Sequence, residues 1–425
     1  MGVERQGYEG ALGRRHVLRG GAAMAALGGL SACAGGRVAS APGPVNGPMV
    51  SAGNRPHLVP MRVSPDQLID MKCCIRPLRA AGPNLGTQMV GDTLVVHNYG
   101  HGGSGWSLSW GSAEVAVGKA LSVLPSEIAV VGCGIIGLTS AVVAQRAGLK
   151  VTIYARDIIQ RTRTFRASGS FTPDSRVSLA EPAGAGFGDL WEQMARLSWK
   201  GFRSMLGLPG EPVVFADSYN VSDVPIVKHV EHPDPAIKGA WQPGGLPLQN
   251  SEFGKYGDRI KDIVPQSQPL SAEENPFAMP YATRVSQMHF NFPSYAHLLL
   301  TEFFQRGGLF VERDFNDPSQ YGQLREKVVI NATGYAARDL WRDNTVIPVR
   351  GQTGWLVPQR EANYSVRFKN AMLMSKADGV VLMNNPVELG EMFGVGDSME
   401  LPDKGPLLEV LKIMEPVMAG LRGKA

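Results

Sequence analysis

Residues 126–157 read SEIAVVGCGIIGLTSAVVAQRAGLKVTIYARD, an apolar run, three glycines, a helical stretch and a second apolar run that ends in an acid. Gly132 allows a tight turn, Gly134 lets backbone approach a pyrophosphate, and Gly137 permits close packing of a helix whose amino end faces the phosphates. Asp157 follows twenty residues after Gly137, where a carboxylate can take ribose hydroxyls. Ile135, Ile136 and Arg156 flank these positions and complete the candidate dinucleotide contacts of this unit. A strand and helix that merely pack closely would use the glycines too, but would not need the acid. The unit implies a parallel sheet with covering helices. It leaves NAD and FAD both open.

The chain of 425 residues is long enough for two domains or one large one. Its 44% apolar and 19% charged residues are ordinary globular values, which excludes a fibrous or wholly disordered chain. The formal charge of +4 falls to +2 without residues 1–32, which carry Arg5, Arg14, Arg15 and Arg19 against Glu4 and Glu9. Nothing basic enough for a nucleic-acid partner remains. The four cysteines, Cys33, Cys73, Cys74 and Cys133, are too few and too oddly spaced for a disulfide framework or a zinc site.

Residues 1–32 read as an export signal: RRHVLRG (14–20) supplies paired arginines, a short apolar run follows, and LSAC (30–33) closes it. This resembles a twin-arginine signal ending in a bacterial lipobox, the alternative being a frayed alanine-rich terminus. The resemblance implies an exported, periplasmic or lipid-anchored protein, held to a membrane surface through Cys33. Residues 33–60, rich in Ala, Gly, Pro and Ser, read as a flexible tether. No other segment is a candidate for spanning a bilayer.

Further along, 71–78 and 92–99 read as strands, which makes the adjacent Cys73 and Cys74 strand residues, and 112–124 reads as a helix. Residues 293–308 predict a helix closed by glycine, 327–334 a buried strand, and 405–421 a closing amphipathic helix. The Gly- and Pro-rich stretch 185–285 has no clear periodicity. His97 and His101 stand four apart, but the glycines between them break any helix and no carboxylate is near, so no metal site is expected. His229 and His232 read as solvated loop residues.

TRTFRASGSF (162–171), VVINATG (328–334) and VIPVRGQTG (346–354) resemble, in this order, the flavin-contacting and flavin-domain motifs of the D-amino-acid oxidase family. HNYGHGGSGWSLSWG (97–111) and IRPLR (75–79) resemble that family's carboxy-terminal signature. The resemblance implies FAD as cofactor and an α/β fold, with a Rossmann-type FAD-binding domain beside a second, mixed-sheet substrate domain. In the usual family order the Arg-Pro strand and the glycine loop come last, after FGVGD (393–397). Here they come first, so the order looks circularly permuted. The implied parts are a permuted segment at 61–125, a Rossmann core at 126–185 and mainly substrate domain at 186–300. The chain then returns to the FAD domain at 301–355, and 356–425 supplies substrate domain and the closing helix.

The resemblance also implies roles for residues. Arg76 holds a substrate carboxylate, for which a guanidinium fork is suited, with Arg79 the less favoured choice. Gly103 offers its carbonyl to the substrate amine. Gly102, Gly103, Ser104, Gly105, Trp106 and Ser107 meet the flavin through backbone, and Arg163, Thr164 and Gly169 of the second motif join them. The implied reaction is hydride transfer from the alpha carbon to flavin N5, giving an imino acid that hydrolyses to keto acid and ammonia, with dioxygen or another acceptor reoxidising the flavin. The family's tyrosines before GVGD are replaced here by Val380, Val381 and Leu382, with Tyr281 a conceivable substitute. That departure keeps open a flavin-binding lipoprotein without turnover or of altered specificity; an NAD-dependent dehydrogenase is the third reading.

Overall fold

The computed structural model describes residues 55–226 and 252–422. The export signal, Cys33, most of the tether, His229 and His232 lie outside the described residues. Two sheets form the framework. The first contains β2 (Thr87–Val90), β3 (Thr93–His97), β4 (Glu127–Val131), β5 (Lys150–Ala155), β9 (Leu309–Glu312) and β10 (Val328–Asn331), in the order β2-β3-β10-β4-β5-β9. All its pairings are parallel except β2 with β3. The second orders β1 (Leu68–Arg79), β11 (Val346–Leu356), β14 (Gly379–Asn384), β13 (Ala371–Lys376), β12 (Tyr364–Phe368), β6 (Val213–Ser222), β8 (Tyr281–Phe290) and β7 (Gln268–Pro269). It is mixed, with β12 and β6 the parallel pair. The protein is therefore α/β, with a Rossmann-type sheet and a mixed sheet.

The parallel strands are covered on both faces, which is why IAVV and VVI are unbroken apolar runs that end up buried. On one face lie α1 (Gly105–Leu121) and α2 (Ile135–Arg146), which pack on each other. The other helices are α3 (Ala180–Ala183), α4 (Phe187–Arg203), α5 (Phe292–Gln305), α6 (Ala337–Leu340) and α7 (Lys404–Ala419). Leu407, Val410, Leu411, Met414, Val417 and Met418 form the buried stripe of α7 against one face of the mixed sheet, each burial contributing about 1.5–3 kcal/mol.

The expected helix at 112–124 begins earlier, at Gly105, so half of the glycine loop is helical. Close packing explains the glycines: a Cβ on Gly111 would strike the backbone of Met194 in α4, so only glycine lets the two helices cross there. Strand β11, expected to return to the cofactor part, lies in the mixed sheet beside β1. The ends of the folded part meet, since the Tyr364 hydroxyl donates to the Val59 carbonyl at 3.0 Å and lies 3.5 Å from Met418 Sδ.

Candidate active site

A cleft of about 440 Å³ runs from the carboxyl ends of β4, β5 and β10 to strand β1. This is where an open α/β sheet binds ligands. Its floor is the glycine turn. Gly132 has φ +105°, and a Cβ there would meet the Ala332 carbonyl at 2.5 Å, so no other residue fits without displacing β10's end. Gly134, Ile135 and Ile136 line the cleft at the start of α2. The Ile135 amide donates to Thr164 Oγ1 at 3.1 Å, which ties the 162–171 segment to the phosphate-facing helix end. Gly137 lies beneath, against the Gly132 carbonyl, as its packing role requires.

Arg156 and Asp157 line the ribose end and are paired at 3.0 Å. Tyr154, Arg313, Asp314 and Phe315 join them there, and the sequence carried no signal for the last three because they follow a short edge strand. Thr333 and Tyr335, at the end of the NATG run, line the middle. Arg163 and Thr164 are in the lining as expected. Arg161, Arg166 and Glu400 also line it and were not foreseen.

At the β1 end the lining comes from Gly102, Gly103, Gly105 and Trp106 of the glycine segment, with Cys74 and Arg76 of the strand. Ser104 and Ser107 do not reach the cleft. Ser104 Oγ donates to the Ser175 carbonyl at 2.9 Å, and Ser107 Oγ accepts the Thr172 amide at 2.8 Å, so both hydroxyls anchor the 172–175 turn. Gly169 is also outside the lining, packed on Phe292 and Lys376 with φ +91°. The segment's contribution is backbone: Gly102, Gly103 and Gly105 bring main chain without side chains to this end of the cleft, where α1 follows directly on the short turn Gly102–Ser104. His101 lines the same end, and burial pushes its imidazole down to about 3, so it is neutral.

Arg76 and Arg79 separate clearly. Arg79 is engaged with Asp343 at 3.1 Å, Thr345 Oγ1 at 3.1 Å and the Gly82 carbonyl at 3.0 Å. Arg76 lines the cleft, and among the described residues its one hydrogen bond is to the Arg350 carbonyl at 3.3 Å. Gly351, opposite Cys74 in the strand pair, is its diagonal neighbour, and a Cβ there would run into the guanidinium. Val380 and Leu382 belong to the core beneath α7; Val381 alone of the three is on the sheet's other face, with Trp355, Met374 and Met383. Tyr281 is 41% exposed at the end of β8 and replaces no cleft residue. Among the described residues no group of three or more His, Cys, Asp or Glu could hold a metal.

Residues 127–400 match the model of the family described as DAO, FAD dependent oxidoreductase. The chain belongs to this family. For an FAD-dependent oxidoreductase the lining would suit the cofactor: glycine backbone and a helix amino end are groups suited to phosphate, the Asp157 carboxylate to ribose hydroxyls, and the side-chain-free backbone of Gly102, Gly103 and Gly105 to a flat ring system. The oxidoreductase is 48% identical over 52 residues to D-aspartate oxidase from Cryptococcus neoformans, a match covering 12% of this chain and 13% of that one. It is 27% identical over 230 residues to D-amino-acid oxidase from Streptomyces coelicolor, covering 53% and 58%. The matches thus span less than two thirds of the curated relatives. Similar solved structures include glycine oxidase from Geobacillus kaustophilus, 13% identical with TM-score 0.43 over 70% of this chain and 80% of that one. L-amino acid deaminase from Proteus vulgaris is another, 13% identical with TM-score 0.38 over 61% of each.

Proposed function

We propose that this flavoprotein removes hydride from the alpha carbon of an amino acid, most closely a D-amino acid, and releases an imino acid. The observation that carries this reading is Arg76, a guanidinium free of any carboxylate among the described residues, set in the wall of the cofactor cleft. FAD, when bound, supplies the two-electron acceptor. The chain's own residues do the positioning. Arg76 takes the substrate carboxylate in its fork, and Gly351 keeps the space that the fork needs. Gly103, in the lining at the β1 end, supplies a carbonyl for the amine. Dioxygen or another acceptor closes the cycle.

Val381 on the cleft-side face of the sheet supports a second reading, flavin binding without turnover, since no phenol is there to share the carboxylate. One experiment separates the readings: mix the purified protein anaerobically with D- and then L-amino acids and record its visible spectrum. Bleaching of a yellow protein by one enantiomer supports oxidation. Yellow without bleaching supports the binding role, and a protein that takes up no FAD sinks both.

We further infer that the family's order is circularly permuted and that residues 1–32 direct export, with Cys33 as the lipidated first residue. What supports the permutation is β1 beside β11, and Val59 and Met418 on one tyrosine hydroxyl. The export reading rests on sequence, and the mass of the mature protein from a membrane fraction would test it.

A further inference from the structure

One carboxylate stands in the cleft beside groups suited to phosphate. Glu400 Oε1 accepts from Arg163 Nε at 3.1 Å and from Arg163 Nη2, and Oε2 accepts from Arg166 Nη1 at 2.7 Å. Both arginines come from the short turn that also presents Thr164 to the Ile135 amide, so they are fixed beside the amino end of α2. The Arg163 guanidinium lies 5.5 Å from the Tyr335 ring centre, across the middle of the cleft wall. Glu400 comes from the opposite side, on the connection between β14 and α7. Its neighbours there are anchored: the Met399 carbonyl accepts from Arg350 Nε at 3.0 Å and the Leu401 carbonyl from Arg350 Nη2 at 2.8 Å.

Two guanidinium forks on one carboxylate is an arrangement that also fits a diphosphate, with the same planar donors and an acceptor of the same sign. The three side chains are 34–37% exposed, so water can cover each charge while partners change. Glu400 takes Nε and Nη2 of Arg163 and Nη1 of Arg166, so a diphosphate that approaches the same donor edges competes with the carboxylate for them and meets it as a like charge. We propose that Arg163 and Arg166 are diphosphate ligands for FAD and that Glu400 is their place-holder, exchanged for the cofactor as it enters. Glu400 then competes with FAD, and the loop that carries it reports whether the cofactor is loaded. Arg166 also donates to the Cys73 carbonyl at 3.3 Å, three residues before Arg76, so the exchange occurs beside the substrate strand.

The test is an FAD titration of apoprotein, followed by quenching of flavin fluorescence, on wild type and Glu400→Gln. Competition predicts about fivefold tighter FAD binding by Glu400→Gln, the scale of one partly solvated charge pair. Binding of riboflavin, which has no phosphate, should not change. Arg163→Met and Arg166→Met should each weaken FAD binding about tenfold or more and leave riboflavin unaffected. If those variants fail to fold, inorganic pyrophosphate supplies an independent measurement, since it should slow FAD uptake by wild type. Weaker or unchanged FAD binding by Glu400→Gln would overturn the proposal, because a carboxylate that merely positions the arginines, or plays no part, gives those results. Wild-type apoprotein that takes up no FAD would overturn it together with the cofactor assignment, which distinguishes that failure from one at Glu400.

Discussion

Arg76 and Arg79 stand three apart on β1, and an odd spacing along a strand sends two side chains to opposite faces. One face meets the cleft; the other meets Asp343 and Tyr99. Arg76→Met should therefore raise KM for the amino acid about 100-fold, in line with the loss of charged hydrogen bonds worth about 1.5–3 kcal/mol, while FAD affinity stays the same. An equal loss of FAD binding would show that Arg76 holds the cofactor instead. The buried histidines make a second prediction. Burial pushes His289 and His101 down to about 3 and His97 to about 4, against about 6.5 when unfolded. The unfolded chain then binds more protons below pH 6.5. Their contribution is fully present above that pH and is lost as pH falls towards 3, by up to about 1.4 kcal/mol per pH unit for each histidine. His289 has both ring nitrogens without partners, so His289→Leu should reduce this slope in urea melts at pH 7.5, 6.5 and 5.5. An unchanged slope would assign the acid sensitivity to other groups.

At the scale of elements, the residues that carried a period were the legible ones. The glycine turn, β4, α2, β5, the core of β10 and the stripe of α7 all follow apolar patterns that their burial explains. The start of α1 was not legible, because Gly105 and Gly111 are poor helix formers, and the close approach of α4 that calls for glycine at 111 is supplied only by the assembled structure. Glu400 was unreadable for a different reason: it lies in a loop, and its partners are more than two hundred residues away. The turn between α1 and β4 gives an element-scale prediction. Leu124 is 88% exposed and held at φ +52°, a conformation that costs a side-chain-bearing residue about 1–2 kcal/mol. Leu124→Gly relieves that strain against a smaller loss of unfolded-state restriction, and should stabilise the protein by about 0.5–1 kcal/mol in denaturant melts. A destabilised variant would mean that the leucine makes a contact worth more than the strain.

For the whole molecule, the same turn and the meeting of the two ends at Tyr364 belong to one question. If the order of segments is a permutation of the family's, the connection from α1 to β4 is replaceable, and the gap between α7 and β1 is closable. Both conditions are physical. Val123 and Leu124 are exposed, 55% and 88%, so cutting there uncovers little apolar surface. Val59 and Met418 touch one hydroxyl, so a linker of about six residues, reaching about 20 Å, has length to spare. A chain that starts at Pro125, runs to Arg422, crosses that linker and continues from Arg55 to Leu124 should fold, bind FAD within a few-fold of the parent and unfold cooperatively. The contacts of β1 with β11 and of α1 with α2 are all retained, and only the loop-closure entropy changes, by a term that grows slowly with length. Soluble relinked protein that takes up FAD would establish that the two junctions are interchangeable. If the parent takes up FAD and the relinked chain is insoluble or colourless, the short turn after α1 is needed to join the two halves, and the segment order is then a requirement of this fold.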